Sequence, residues 1–338
     1  MNGAATTPEQ NGQSRPQKLS AAPIDPVNLD AALLRTALMQ PQGVFARVDV
    51  VDSAGSTNID LAAGAADTGQ FFPDLSVLIA DAQPAGKGRL GRAWEVPAGA
   101  AMISSVLLWP EEQCLTSGSG KDFAPTGYGW LSILAGVALC QSLRTHTDVD
   151  ATLKWPNDVV IKGRKLAGIL AQVVPARSAT APAISTMASS GTEMGPGVVV
   201  GVGVNVSLQE TELPTDRATS LLVEGVPASG LDRNQLLPEY LNNFAKLYQD
   251  FAAAGGDAHM PLSGGASAVE LARDLMSTLG QQVRAELPGG TMLYGTAVDL
   301  NSDGSLRLRD ALGQEHNVSA GDVLHLRRTG PGGALGYA

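Results

Sequence analysis

The 338-residue chain is poor in sulfur, imidazole and aromatic rings: it has two cysteines, four histidines, and only 4% Phe, Trp and Tyr together. Cys114 and Cys140 cannot build a disulfide framework, and the scattered histidines have no metal-ligand spacing, which argues against a stapled secreted scaffold or a zinc module. No run of about 18 apolar residues is present, so no membrane-spanning helix is expected. Residues 1–17 lack the charged start and apolar stretch of a secretory signal, and the expected location is cytoplasmic. Basic charge is also short. With 23 Lys and Arg against 33 Asp and Glu, the formal net charge is −10, so broad binding to nucleic acid is not expected and any cluster of cations is a local feature. What is present, 44% apolar and 17% charged residues, is ordinary for a globular protein with room for two domains, or one and an appendage.

Those cations cluster where glycine does. Gly86, Gly88 and Gly91 lie between an apolar β-type run at 77–80 and another at 102–109, with Lys87, Arg89 and Arg92 in and beside the loop. Glycine lets backbone N–H groups approach an anion closely, so phosphate or carboxylate is the expected guest. Alone, a G-x-G-x-x-G pattern is weak, and a solvated basic turn is its commoner reading.

Along the chain, residues 1–26 have little to bury and are expected to be a mobile tail. Residues 28–39 have helical spacing, and a strand is expected at 44–51, which leaves no room ahead of it for a helix-turn-helix DNA-binding domain. Ser56, Thr57 and Asn58 precede a helix at 59–66. They read either as a cap or as short hydrogen-bonding side chains beside free helix N–H groups, facing a pocket shared with the glycine loop. The Ser/Gly-rich stretch 111–126 reads as a surface loop, and 127–146 as a helix packed on a sheet. Residues 159–161 and 166–174 flank a glycine turn as a β-hairpin, which allows Lys154 and Lys165 to face one sheet surface. A long flexible loop is expected at 175–196. The Val-rich run 198–206 then reads as a central strand covered on both faces, with Gly201 and Gly203 leaving space at the backbone and Asn205 at its end. Helices are expected at 236–251 and 268–279. From 281 to 328 short alternating strands suggest a small all-β barrel, with a boundary near Leu279 and a disordered tail after Thr329.

Five motifs occur in order: S-T-N at 56–58, A-Q-x-x-G-K-G-R-x-G-R-x-W at 82–94, K-W-P-N-D at 154–158, R-K-L-A-G-I-L at 164–170 and G-V-G-V-N at 201–205. Together they closely resemble the biotin–protein ligases, over roughly residues 45–328. The resemblance implies an α+β fold, with a central mixed β-sheet catalytic domain and flanking helices of the class II synthetase-like, lipoate–biotin ligase-like type at 27–279. An SH3-like β-barrel would follow at 280–329, then a tail at 330–338. It implies ATP-dependent activation of biotin as biotinyl-5′-AMP and transfer to a lysine of a biotin carboxyl carrier protein, with Mg²⁺ on the nucleotide and no assigned metal ligand. The alternatives are a lipoate–protein ligase-like acyltransferase and a non-catalytic biotin or nucleotide sensor.

By the same resemblance, Ser56, Thr57, Asn58 and Gln83 would line the biotin end. Lys87, Gly88, Arg89 and Lys165 would surround the carboxylate and phosphate, and Asn157, Asp158, Asn205, Trp94 and Arg92 would serve the adenylate. Gly86, Gly91, Gly168 and Gly203 complete the expected binding set, with Arg89, Lys165 and Lys154 as expected catalytic residues. Lys87 stands where arginine is commonest in the family; it keeps the charge and loses the planar fork. Oligomeric state is left open.

Overall fold

The structure is a computed structural model that describes residues 27–67, 69–176, 195–286, 291–319, 325–329 and 335–336. The expected N-terminal tail, most of the expected 175–196 loop, and most of the C-terminal tail lie outside the described residues.

Helix α1 (Ala31–Leu38) is capped by the Asp30 carboxylate, which accepts from the Ala32 and Leu33 N–H groups, and it buries Leu34 and Leu38. It leads into β1 (Arg47–Ser53), α2 (Thr57–Ala66), β2 (Ser76–Ala82), β3 (Ala101–Leu108), α3 (Pro110–Thr116) and α4 (Trp130–Thr147). Strands β4 (Ala151–Lys154), β5 (Asp158–Ile161), β6 (Arg164–Val174) and β7 (Gly197–Asn205) follow, then α5 (Arg233–Ala253) and α6 (Ala268–Leu275). The seven strands form one sheet in the order β1-β2-β3-β7-β6-β5-β4. β1 runs parallel to β2 and every other pair is antiparallel, so the sheet is mixed as expected. β7 lies at its centre, and its valines are buried on both faces, which is why the sequence there does not alternate. Helices α4 and α5 pack together on one face; α2 covers part of the other, where Leu61 and Ala62 meet Leu107, Val174 and Val199.

The β5–β6 turn places Lys162 at φ 51° and Gly163 at φ 78°, the paired left-handed conformation of a two-residue hairpin that glycine makes accessible. The expected surface loop at 111–126 needs correction. Its first part is α3, with Glu112 and Cys114 buried, and Phe123 further on packs edge-to-face against Tyr128 and Phe251. The Ser/Gly run at 117–120 hid this short helix, because seven residues carry too few apolar positions to set a period.

A second sheet holds β8 (Gln282–Glu286), β9 (Met292–Leu300), β10 (Leu306–Arg309), β11 (Glu315–Val318), β12 (His325–Thr329) and β13 (Leu335–Gly336). Its order is β11-β10-β9-β8-β12-β13, antiparallel throughout. The short β13 lies within the tail expected to be disordered and pairs with the end of β12. The β9–β10 turn docks on the larger sheet's helical side through two buried indoles: Trp130 Nε1 donates to Ser302 O at 2.8 Å and Trp155 Nε1 to Gly304 O at 3.0 Å. Val283, Ala297, Leu300 and Leu306 join the same buried cluster as α4 and α5, so the two sheets share one core. Among the described residues, no helix is long and apolar enough to cross a membrane.

Candidate active site

A cleft opens where the N-terminus of α2, the glycine loop, β5, β6 and β7 meet. The loop is a narrow ribbon. Trp94 N–H donates to Gly86 O at 2.9 Å, Gly88 N–H donates to Arg92 O at 2.7 Å, and Lys87 bridges to Ala93. At its tip Leu90 and Gly91 are both left-handed, at φ 58° and 72°. The ribbon turns Lys87, Arg89 and Arg92 into the cleft wall.

On the sheet side, a β-bulge decides which side chains arrive. Asp158 pairs with Gly168 and Val160 with Lys165, so Leu166 is one residue extra on β6. Without it Lys165 and Gly168, three apart, would face opposite sides of the sheet; with it both face the cleft. Lys165 Nζ lies 2.6 Å from Asp158 Oδ1 and over the Trp94 ring, 5.8 Å from its centroid. Trp94 rests on a floor made by Gly168 and Gly203: a Cβ at Gly203 would lie 2.8 Å from the indole Nε1, and one at Gly168 3.3 Å from the ring. Arg89 reaches toward Asn157 Oδ1, 3.4 Å away. Burial draws the Arg89 guanidinium below its ordinary pKa, Asp158 opposes this, and Arg92 adds to it.

At the other end, α2 begins with buried polar groups. Ser56 occupies the cap position but its side chain makes no cap hydrogen bond. Thr57 N–H donates to Gln83 Oε1 at 2.8 Å, and Asn58 Nδ2 donates to Leu170 O at 2.9 Å. Ser105, buried on β3, lies 2.6 Å from Asn58 Oδ1 and 2.7 Å from Thr57 Oγ1, which is itself 3.0 Å from Gln83 Oε1. Asn58 Oδ1 can only accept, so the Ser105 hydroxyl donates to it, leaving the Thr57 hydroxyl as donor to Ser105 and the Thr57 N–H to satisfy Gln83. This end is a locked array of donors and acceptors; the end at Lys165, Arg89 and Arg92 is cationic. The arrangement suits an elongated molecule with a neutral polar head and an anionic tail.

Residues 67–188 match the model of the biotin/lipoate A/B protein ligase family, and residues 278–326 that of the biotin protein ligase C-terminal domain. A biotin–[acetyl-CoA-carboxylase] ligase of Mycobacterium tuberculosis is 39% identical over 303 residues, 88% of this chain and 96% of the relative. The chain belongs to the biotin protein ligase family. The bifunctional ligase/repressor BirA of Bacillus spizizenii is 27% identical over 293 residues, 85% of this chain and 75% of that one. In fold, the chain is similar to the biotin protein ligase from Aquifex aeolicus in complex with biotin and ATP, with a TM-score of 0.58, 23% identity, and coverage of 84% of this chain and all of the other.

Of the residues expected to form the biotin protein ligase site, Ser56, Thr57, Asn58, Gln83, Lys87, Gly88, Arg89, Arg92, Trp94, Asn157, Asp158, Lys165, Gly168 and Gly203 line this one cleft. Four do not. Gly86 hydrogen-bonds within the base of the ribbon, and Gly91 is at its tip. Asn205 is buried, its Nδ2 donating to Thr219 O at 3.0 Å, so it braces the neighbouring segment. Lys154 pairs with Asp158 and shares its face, but on the edge strand β4, one strand outside the cleft wall. Sequence reasoning passed over Ser105, Ile103 and Ile169. Ser105 sits in an apolar strand, and only the register against β2 and β7 reveals its place behind the α2 cap.

Proposed function

We propose that this cleft condenses biotin with ATP to form biotinyl-5′-AMP and passes the biotinyl group to a lysine of a biotin carboxyl carrier protein. One observation carries the reading: the cationic ribbon, Lys165 and the Thr57–Asn58–Gln83 array, backed by buried Ser105, meet in a single cleft, in a chain of this family. The array supplies paired donors and acceptors for a cyclic urea. In the first half-reaction a biotin carboxylate oxygen attacks the α-phosphorus, the bond to the β-phosphate oxygen breaks, and pyrophosphate leaves. Two anions must be brought together, and charge grows on the α-phosphate. Lys165 and Arg89, both lining the cleft, are placed to offset both. Lys165 exchanges one anion for another when a substrate oxygen takes the place of Asp158. In the second half-reaction the carrier amine attacks the carbonyl carbon of the mixed anhydride, the C–O bond to AMP breaks, and the amine gives up a proton.

Mg²⁺ would arrive on the ATP phosphates, with Asp158 as the carboxylate at hand, and supply charge neutralisation; such sites need few protein ligands. We assign the catalytic unit to residues 27–279 and the smaller unit to 280–329.

The test is incubation of the purified chain with ATP, Mg²⁺ and a carrier domain, with either biotin or lipoate. A mass increase of one biotinyl group on the carrier lysine, with none from lipoate, is expected. Equal modification by lipoate, or none by either, would overturn the reading.

A further inference from the structure

Lys165 owes its place to a segment outside the cleft. β7 ends at Asn205, opposite the region of Leu166, so it does not cover the side of β6 at Lys165. Residues 217–219 take over there: Lys165 N–H donates to Arg217 O at 2.7 Å, Thr219 N–H donates to Lys165 O at 2.8 Å, and Lys165 bridges in parallel to Ala218. Glu224 ties that segment to the β5–β6 turn. Its carboxylate accepts from the Thr219 hydroxyl at 2.7 Å, from the Arg164 guanidinium, and from the Lys162 ammonium at 3.2 Å. The Glu224 side chain is 3% exposed and Arg164, 27% exposed, reaches in to it, while Lys162, 80% exposed, meets it from the solvent side.

We propose that Glu224 is a positioning residue for the first half-reaction, clamping the residues on both sides of Lys165 so that the bulge holds and the ammonium stays in the cleft. The proposal rests on the role assigned to Lys165 above. Burial raises the Glu224 carboxyl, but the hydrogen bonds from Thr219 and Lys162 and the charge of Arg164 outweigh it and hold the group below its ordinary pKa. It is therefore a permanent anion at neutral pH. Glu224 does not line the cleft, and the Thr57–Asn58–Gln83 array lies on other elements. Its loss should thus disturb the cationic end alone. A displacement of the ammonium by about an ångström is enough to cost on the order of 100-fold in rate.

The experiment is biotin-dependent pyrophosphate release by the full chain carrying Glu224→Ala, Glu224→Gln, Lys165→Ala, or both alanine substitutions. Glu224→Ala is expected to lower kcat by about 10- to 100-fold with little change in KM for biotin. Glu224→Gln, which keeps an acceptor for Thr219 and Arg164, recovers part of it. In the Lys165→Ala background, Glu224→Ala should cost nothing more, because the residue it positions is gone. Should Glu224→Ala not fold, Thr219→Val removes one arm of the clamp and should lower kcat in the same sense. Wild-type kcat in Glu224→Ala, or losses that multiply in the double variant, would overturn the proposal. Undiminished release by Lys165→Ala would instead overturn the assignment of Lys165.

Discussion

Thr57, Asn58, Gln83 and Ser105 show how proton counting fixes a binding surface at the scale of single residues. Two hydroxyl protons and one backbone N–H serve three acceptors, so each amide can present only one orientation. Ser105→Ala removes the donor to Asn58 Oδ1 and leaves a buried acceptor unpaired, which costs about 1–3 kcal/mol. Biotin affinity measured by calorimetry should weaken by about 5- to 100-fold, since each 1.4 kcal/mol is about a factor of ten. Unchanged affinity would remove Ser105 from the array. Ser56, Thr57, Asn58 and Gln83 were legible in the sequence because motif and helix start coincide. Ser105 was not, because its partners Thr57 and Asn58 stand on α2, 48 and 47 residues earlier in the chain. Lys154 was legible as a cation beside a strand, but its distance from the cleft follows from strand order, which local pattern does not contain.

At the scale of elements, the glycine ribbon and the β5–β6 hairpin were readable from glycine placement and apolar runs. The bulge at Leu166 was not, since a bulge exists only relative to a partner strand. The ribbon carries two predictions. Gly203→Ala places a methyl group against Trp94 and should displace the indole from its floor, seen as a shifted tryptophan emission maximum and a loss of ligand affinity. No change in either would show that Trp94 does not depend on that floor. Arg89, set in the ribbon near Asn157, is placed to pin it over a mixed anhydride that water destroys. Arg89→Gly should therefore still form adenylate but release it, so that lysines of a bystander protein become biotinylated beside the carrier's. Streptavidin blotting at matched adenylate output checks this; labelling confined to the carrier would leave Arg89 a plain electrostatic contributor.

At the scale of the whole molecule, one shared core joins the two sheets, and its stability carries a pH signature. The Asp74 oxygens are buried although the residue keeps some exposure. Oδ1 accepts from Trp109 N–H at 2.6 Å and from the Tyr248 hydroxyl at 2.9 Å, while Oδ2 is buried with no partner. Burial raises its pKa from 3.8 to about 7, against the pull of those hydrogen bonds. The folded state therefore holds a proton that the unfolded chain gives up. The stabilisation is fully present below the unfolded value, fades as pH rises, and is lost above about 7, up to about 4 kcal/mol in all. Compared with wild type, Asp74→Asn should lose this decline in denaturant midpoint between about pH 4 and pH 7. Parallel slopes would place the titration elsewhere. The two-sheet division was legible from the change to short alternating strands after residue 280. The docking of the 302–304 turn on Trp130 and Trp155 was not, because those indoles lie about 150 residues or more away in sequence.

The central claim is that one cleft joins biotin to AMP. Pyrophosphate release from ATP and Mg²⁺ without any carrier protein tests it most directly, measured with biotin, with lipoate and with neither. The account predicts release that requires biotin, ignores lipoate, and falls by about two orders of magnitude or more in Lys165→Ala. Release independent of biotin, or none by a folded wild-type chain that binds biotin, would contradict it.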